Sequence, residues 1–284
     1  MRIRFAVFNN NATAYVRGGQ IAHALSLRGH DSKTVPAREL DCDGEDVVVF
    51  VKWCDAEVAK RLRANGTAVV WDVLDNKNAW RNGLGTATRH LAASLLPTDA
   101  LRLSYVDRGL PMPEVVATIG HHWDPRFRPN MAESWRLGYL GAKENVCGHV
   151  LSATGAEPLF HYDERFFFDA ARKYSAHLCV RNTGTQEFQY KPDSKITCAA
   201  GCCAVPILTR DPCHLAHLPA DYPYWVDSAE PDAVAQVADA ARATYGTPTW
   251  AKALAMMAGV RERSSLGEIA RQFESFFVRL GAKQ

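Results

Sequence analysis

The chain has 284 residues, 47% of them hydrophobic and 23% charged. These are the proportions of an ordinary globular protein of one or two domains. A net charge of +2 excludes the basic footprint of non-specific nucleic-acid binding, and no apolar run reaches the ~20 residues that span a bilayer. Met1-Arg2-Ile3-Arg4-Phe5 runs straight into a strand-like pattern without signal-peptide architecture. A cytoplasmic protein is expected, compatible with peripheral contact at the inner membrane. The eight cysteines are scattered through apolar contexts, which reads as buried reduced thiols.

Ile3 to Phe8 reads as an apolar strand, followed by a polar loop and the pair Gly18-Gly19. Gln20 to Arg28 places Ile21, Ala24 and Leu25 on one helical face, with Gly29 as the stop. A strand is expected near Ser32 to Val35, and a buried one at Val47 to Val51. A helix from Asp55 to Ala64 closes at Asn65-Gly66, and Ala68 to Val73 is the next buried strand. The pattern then predicts a helix near Thr86 to Leu96 and weaker strands at Leu101 to Val106 and Val115 to Ile119. Continuous apolar strands separated by helices imply a parallel sheet covered on both faces.

The stretch Gly120 to Asn130, rich in Pro, aromatic and charged residues, is the best linker candidate. Beyond it the alternation restarts. Strands are expected at Trp135 to Leu140, Pro158 to Phe160, Ala176 to Val180, Ala204 to Leu208 and Tyr224 to Asp227. Helices are expected at Asp163 to Tyr174, Asp193 to Cys202, Asp232 to Thr244, Thr249 to Ala258 and Ser265 to Leu280. The last opens with Ser265 and Glu268 as a capping box and carries Leu266, Ile269, Phe273, Phe276 and Leu280 at helical spacing. The organisation expected is residues 1–124 as one α/β unit, 125–134 as linker, 135–262 as a second unit, and 263–284 as a closing helix. Two such halves facing each other would leave a cleft between them, a usual place for small-molecule sites.

Lys191 and Lys195 stand at the mouth of a small-residue helix, with Pro192 fixing the turn into it. A helix N-terminus offers free N–H groups and partial positive charge, so two added cations make a phosphate site. Arg181, at the end of the preceding strand, can join them. A solvated helix start is the plainer reading of such lysines. Gly18-Gly19 reads either as close backbone approach to an anion or as a loop needing positive φ. Asp72 and Asp75, after the buried strand, are general-base candidates, with capping by Asp75 or Asn76 as the alternative. His121 and His122 lie at the linker, where hinge hydrogen bonding is more usual than catalysis. Cys198, Cys202, Cys203, Cys213, His214 and His217 match no common zinc spacing, so no metal is expected.

Taken together, the chain resembles the two-Rossmann-domain glycosyltransferases of the GT-B fold. The resemblance rests on Gly18-Gly19 with the turn Leu27-Arg28-Gly29-His30-Asp31, on Ile119-Gly120-His121-His122-Trp123-Asp124-Pro125, and on Lys191-Pro192-Asp193-Ser194-Lys195 through Pro206-Ile207. The last is similar to a "KPxxK…A…G.PvI" signature of bacterial cell-surface glycan transferases. It implies an α/β protein of two Rossmann-like domains, the first binding the acceptor and the second the nucleotide-sugar donor. Lys195, with Arg181 or Lys191, is implied on the donor diphosphate, with Gly18-Gly19 near it from the other domain. The closing helix is implied to cross back to the first domain. Many retaining members carry a Glu-x7-Glu pair. Here Glu187 fills the first position, toward the donor sugar or ribose, and Lys195 stands at the second.

The implied activity is transfer of a sugar from a nucleoside-diphosphate sugar to a hydroxyl of a glycan, lipid-linked or small-molecule acceptor, in surface polysaccharide or glycoconjugate synthesis. No cofactor and no metal are implied, the nucleotide sugar being a substrate. The alternatives are a nucleotide-sugar epimerase and a non-catalytic nucleotide-sugar-binding protein on the same fold.

Overall fold

The computed structural model describes residues 1–9, 11–40, 44–74, 87–107, 109–160, 166–181, 192 and 194–281. It divides into two compact units, Met1–His121 with Leu266–Gln284, and His122–Ser265. The boundary falls between His121 and His122, so the expected linker 125–134 lies within the second unit.

The first unit is a six-stranded sheet, all parallel: β1 (Arg2–Val7), β2 (Asp31–Pro36), β3 (Val47–Val51), β4 (Ala68–Asp72), β5 (Ala93–Leu96) and β6 (Val115–Thr118), in the order β2-β1-β3-β4-β5-β6. All five residues of β3 are buried. A run of Val and Phe without alternation suits a strand covered on both faces. A wide π-type turn, Ala14–Gln20, leads into α1 (Ile21–Ser26). The next helix, α2 (Ala56–Ala64), starts where Asp55 accepts from the N–H groups of Glu57 and Val58, an N-cap.

Between β4 and β6 the structure reverses two expectations. The segment read as a helix ends in β5, and the segment read as a strand is α3 (Asp99–Asp107). Thr98 Oγ1 accepts from Leu101 N at 3.1 Å and starts that helix. The last helix, α10 (Leu266–Gly281), belongs to the first unit. Its stripe of Ile269, Phe273, Phe276, Phe277 and Leu280 is buried with Ile3, Phe5, Ile21 and Leu25. Each such phenylalanine, fully covered, contributes about 1.5–3 kcal/mol. Glu274 pins the helix to the turn after α1 through Arg28 and His30.

The second unit is a five-stranded parallel sheet of β7 (Leu137–Leu140), β8 (Glu157–Leu159), β9 (Ala176–Leu178), β10 (Val205–Thr209) and β11 (Trp225–Val226), in the order β11-β10-β9-β7-β8. Its helices are α4 (Gly148–Thr154), α5 (Phe167–Ala171), α6 (Ser194–Gly201), α7 (Pro212–Leu215), α8 (Pro231–Ala243) and α9 (Pro248–Arg263). Helix α6 buries Ile196, Ala199 and Ala200 completely. Small residues there let it lie close to β10 and α9.

Candidate functional site

In an open parallel sheet, ligands lodge beyond the carboxyl ends of the strands where the winding reverses. In the second unit the chain passes from β7 outward to β8, then crosses to β9 and continues to β11. The reversal therefore lies between β7 and β9. Three groups meet at their carboxyl ends.

The first is Lys195, in the opening turn of α6. Its Nζ lies 3.6 Å from the centre of the Tyr139 ring, a cation–π contact. The Tyr139 hydroxyl donates to Ala142 O at 3.0 Å, which locks the ring in place, and burial raises its pKa.

The second is Gly141, directly after β7, with φ +155. A Cβ there would lie 3.1 Å from Tyr139 Oη and 3.4 Å from Lys195 Nζ. The absent side chain leaves room for the Tyr139 hydroxyl, and the Lys195 ammonium lies at van der Waals distance beyond it.

The third is Arg181, 6% exposed, whose Nη2 donates to Pro192 O at 2.6 Å. That bond ties the end of β9 to the approach to α6. Lys195 and Arg181 together place two cations beside the free N–H groups of a helix N-terminus, an arrangement suited to an anion of more than one charge.

The surroundings register this charge. His177 on β9 is 1% exposed, and neither ring nitrogen has a hydrogen-bond partner among the described residues. Burial, and then Lys195, hold its pKa down at about 3, so the ring is neutral. Burial pushes the Cys179 thiol up to about 12, against the pull of Lys195 and Arg181. At the end of β10, Asp211 Oδ1 accepts from His214 N and caps α7. His214 Nδ1 lies 2.8 Å from Asp211 Oδ2 and 3.0 Å from Thr209 O. Both neighbours are acceptors, so Nδ1 carries the proton. Among the described residues no group of three or more His, Cys, Asp or Glu side chains is placed to hold a metal ion.

The other residues singled out in the sequence fall elsewhere. Asp72 is fully buried, its Oδ2 2.6 Å from Arg17 Nε. Burial pushes its pKa up. A carboxylate sealed against a guanidinium presents no oxygen to an acceptor hydroxyl, which corrects the general-base expectation. Gly18 and Gly19 lie inside the wide turn before α1, not in a loop of positive φ. A Cβ on Gly18 would lie 3.2 Å from Val7 Cγ1, and one on Gly19 3.8 Å from Thr34 Oγ1. Gly18 lets the turn sit close on its own sheet, whereas a side chain at Gly19 would make only ordinary contacts. His121 and His122 are both buried, one at the edge of each unit. Asp75, Asn76, Glu187 and Lys191 lie outside the described residues.

Tyr139, Gly141 and His177 were not singled out in the sequence. Only the glycine that ends an apolar strand carried a readable signal.

No protein-family model matches the chain, and no curated protein matches it in sequence. Solved structures do match. A glycosyltransferase from Rickettsia africae is similar over 98% of this chain and 98% of its own, at 10% identity and a TM-score of 0.66. HepE from Anabaena, in complex with UDP and glucose, is similar over 98% of this chain and 100% of its own, at 9% identity and a TM-score of 0.68. The fold is GT-B. Sucrose-phosphate synthase from Thermosynechococcus elongatus shares it over 99% of both chains, at 12% identity and a TM-score of 0.65. At these identities the likeness carries the fold alone. The two parallel sheets of the chain are the two Rossmann-like halves of a GT-B protein.

Proposed function

We propose that the protein is a glycosyltransferase that moves a sugar from a nucleoside-diphosphate sugar to a hydroxyl acceptor. The observation that carries this reading is the convergence of Lys195, Arg181, Gly141 and the N-terminus of α6 at the winding reversal of the second sheet. Two fixed cations and a set of backbone N–H groups suit a diphosphate. HepE, of the same fold, has been crystallised with UDP-glucose, which supports a nucleotide sugar as the ligand.

The chemistry follows from the charge. As the sugar leaves, the diphosphate gathers negative charge. Cations already in place stabilise that state more than the bound ground state, and only such differential binding accelerates transfer. Lys195 and Arg181 supply the positive charge themselves, so the reading needs no bound metal. Lys191 and Glu187 are proposed to complete the donor site, on the phosphates and on the sugar or ribose. Gly18 and Gly19 are kept as a second approach to the phosphates. With Asp72 sealed, Asp75 is the proposed base for the acceptor hydroxyl, and His121 and His122 keep a hinge role. The proposed setting is surface polysaccharide or glycoconjugate synthesis inside the cell. No helix among the described residues is long and apolar enough to cross a membrane.

The test is calorimetry with UDP-, GDP- and dTDP-hexoses on the native protein and on Lys195→Ala. The variant is expected to bind the preferred donor at least tenfold more weakly, about 1.4 kcal/mol. Unchanged affinity would remove Lys195 from the donor site. Donor consumed without acceptor would point to an epimerase, and binding without turnover across an acceptor panel to a non-catalytic protein.

A further inference from the structure

At the end of β10 the second unit keeps a buried acid that the transfer chemistry leaves unused. Asp211 is buried together with Thr209 and His214. Its Oδ1 accepts from His214 N at 2.9 Å and caps α7. An asparagine would cap that turn as well, with no charge to bury. The charge therefore has another use.

The second oxygen shows what that use is. Oδ2 accepts from His214 Nδ1 at 2.8 Å and from Thr209 Oγ1 at 3.3 Å. The same Thr209 oxygen accepts from Arg181 N at 3.4 Å, and Arg181 Nη2 donates to Pro192 O at 2.6 Å. One line of bonds thus runs from Asp211 through the end of β9 to the approach to α6. His214 Nε2 has no hydrogen-bond partner among the described residues. A buried ring with one nitrogen unpaired costs stability, so its value lies in the other nitrogen, which aims the carboxylate. The charges agree with the geometry. Burial pushes the Asp211 carboxyl up, but the His214 bonds and the charge of Arg181 outweigh it and hold the group below its ordinary value. Burial, against the bond to Asp211 and with the charge of Arg181, holds the His214 pKa down. The cluster is a carboxylate, a neutral imidazole and a guanidinium.

We propose that Asp211 is a positioning residue: clamped by His214, its carboxylate holds Arg181 at the carboxyl end of β9 in the pose that meets a diphosphate. An arginine fixed before its ligand arrives needs no reordering on binding, nor as charge develops on the leaving group. The proposal rests on the transferase reading for the identity of the ligand, and not for the hold on Arg181.

The test compares the whole native chain with Asp211→Asn and with Thr209→Val, which keeps the side-chain shape and breaks the line of bonds at the hydroxyl. The Nε–Hε signal of Arg181 in heteronuclear NMR, assigned by its loss in Arg181→Lys, reports whether the guanidinium is held. Calorimetry with pyrophosphate and with UDP reports its use, and the thermal midpoint shows that each variant is folded. The signal is expected to persist in the native protein and to be lost in both variants through exchange with water. Both anions are expected to bind the variants about tenfold more weakly. Removing a carboxylate would by charge alone tighten anion binding, and a mere change of cap would leave it as it was, so weaker binding reads position. A retained signal, or equal or tighter binding by Asp211→Asn, would overturn the proposal. Should Asp211→Asn fail to fold, Thr209→Val decides by the same two readouts. Pyrophosphate bound while UDP, GDP and dTDP are all refused would sink the transferase reading and leave Asp211 in this role. A native protein that bound none of these anions would overturn both.

Discussion

Arg17 and Asp72, 55 residues apart in sequence and neither exposed to solvent, form a closed ion pair with Nε 2.6 Å from Oδ2. The same guanidinium donates to Ile119 O at 2.8 Å and to Gly120 O at 2.5 Å, and lies 4.9 Å from the centre of the Phe273 ring. One side chain thus ties together the ends of β4 and β6 and the helix α10. Burying two charges is tolerated here because both carboxylate oxygens and several guanidinium N–H groups are satisfied.

Removing one partner leaves an uncompensated buried charge. Asp72→Asn and Arg17→Met are each expected to cost about 3–5 kcal/mol, and the double variant Arg17→Met/Asp72→Leu to recover most of it. Urea denaturation followed by circular dichroism reads this. If Asp72→Asn kept full stability and lost turnover instead, the carboxylate would return as a catalytic base.

Gly141→Ala puts a methyl group 3.4 Å from Lys195 Nζ and 3.1 Å from Tyr139 Oη, on a backbone that favours glycine. The Tyr139 hydroxyl has to give by a few tenths of an ångström, which moves the ring on which Lys195 rests. Donor affinity is expected to fall about tenfold in calorimetry with the preferred nucleotide sugar. A variant that folds and binds normally would remove Gly141 from the site.

The neutral His177 makes stability depend on pH. Its pKa is about 3 in the folded protein, against an ordinary 6.5. The unfolded chain therefore takes up a proton below pH 6.5 that the folded one refuses until about pH 3. Stability contributed above that window is lost as pH falls through it, with a limiting slope of about 1.4 kcal/mol per pH unit. Comparing urea midpoints at pH 7 and pH 5, His177→Met is expected to lose less stability than the native protein. Equal losses would show that the imidazole titrates normally.

Much of the fold is legible because the strands are uniform. Val47–Val51 and Ala68–Trp71 are apolar from end to end, and the Asp55 cap and the stripe of α10 announce their helices. The reversal at 86–107 has a physical cause. Ala93-Ser94-Leu95-Leu96 has no β-branched residue and reads by propensity as helix, yet pairing with β4 and β6 makes it a strand. Leu101, Leu103 and Tyr105 mimic a two-residue period inside α3, and the cap at Thr98 was the better signal. At the candidate site, the position of Lys195 in the opening turn of α6 was legible because proline and small residues frame it. The partners of Asp72 and Lys195 were not, since Arg17 and Tyr139 reach them only through the tertiary fold.

The return of α10 to the first unit bears on how the protein is made. Phe273, Phe276 and Phe277 sit in the same core as Ile3 and Phe5, but the ribosome adds them after the whole of the second unit. The second unit can complete its core while still tethered, because its residues are contiguous. The first must wait, its sheet uncovered along one strip, until the last helix clears the exit tunnel. The half that begins first is therefore the half that finishes last, with Ile3 and Phe5 lacking their partners on α10 until that helix is made.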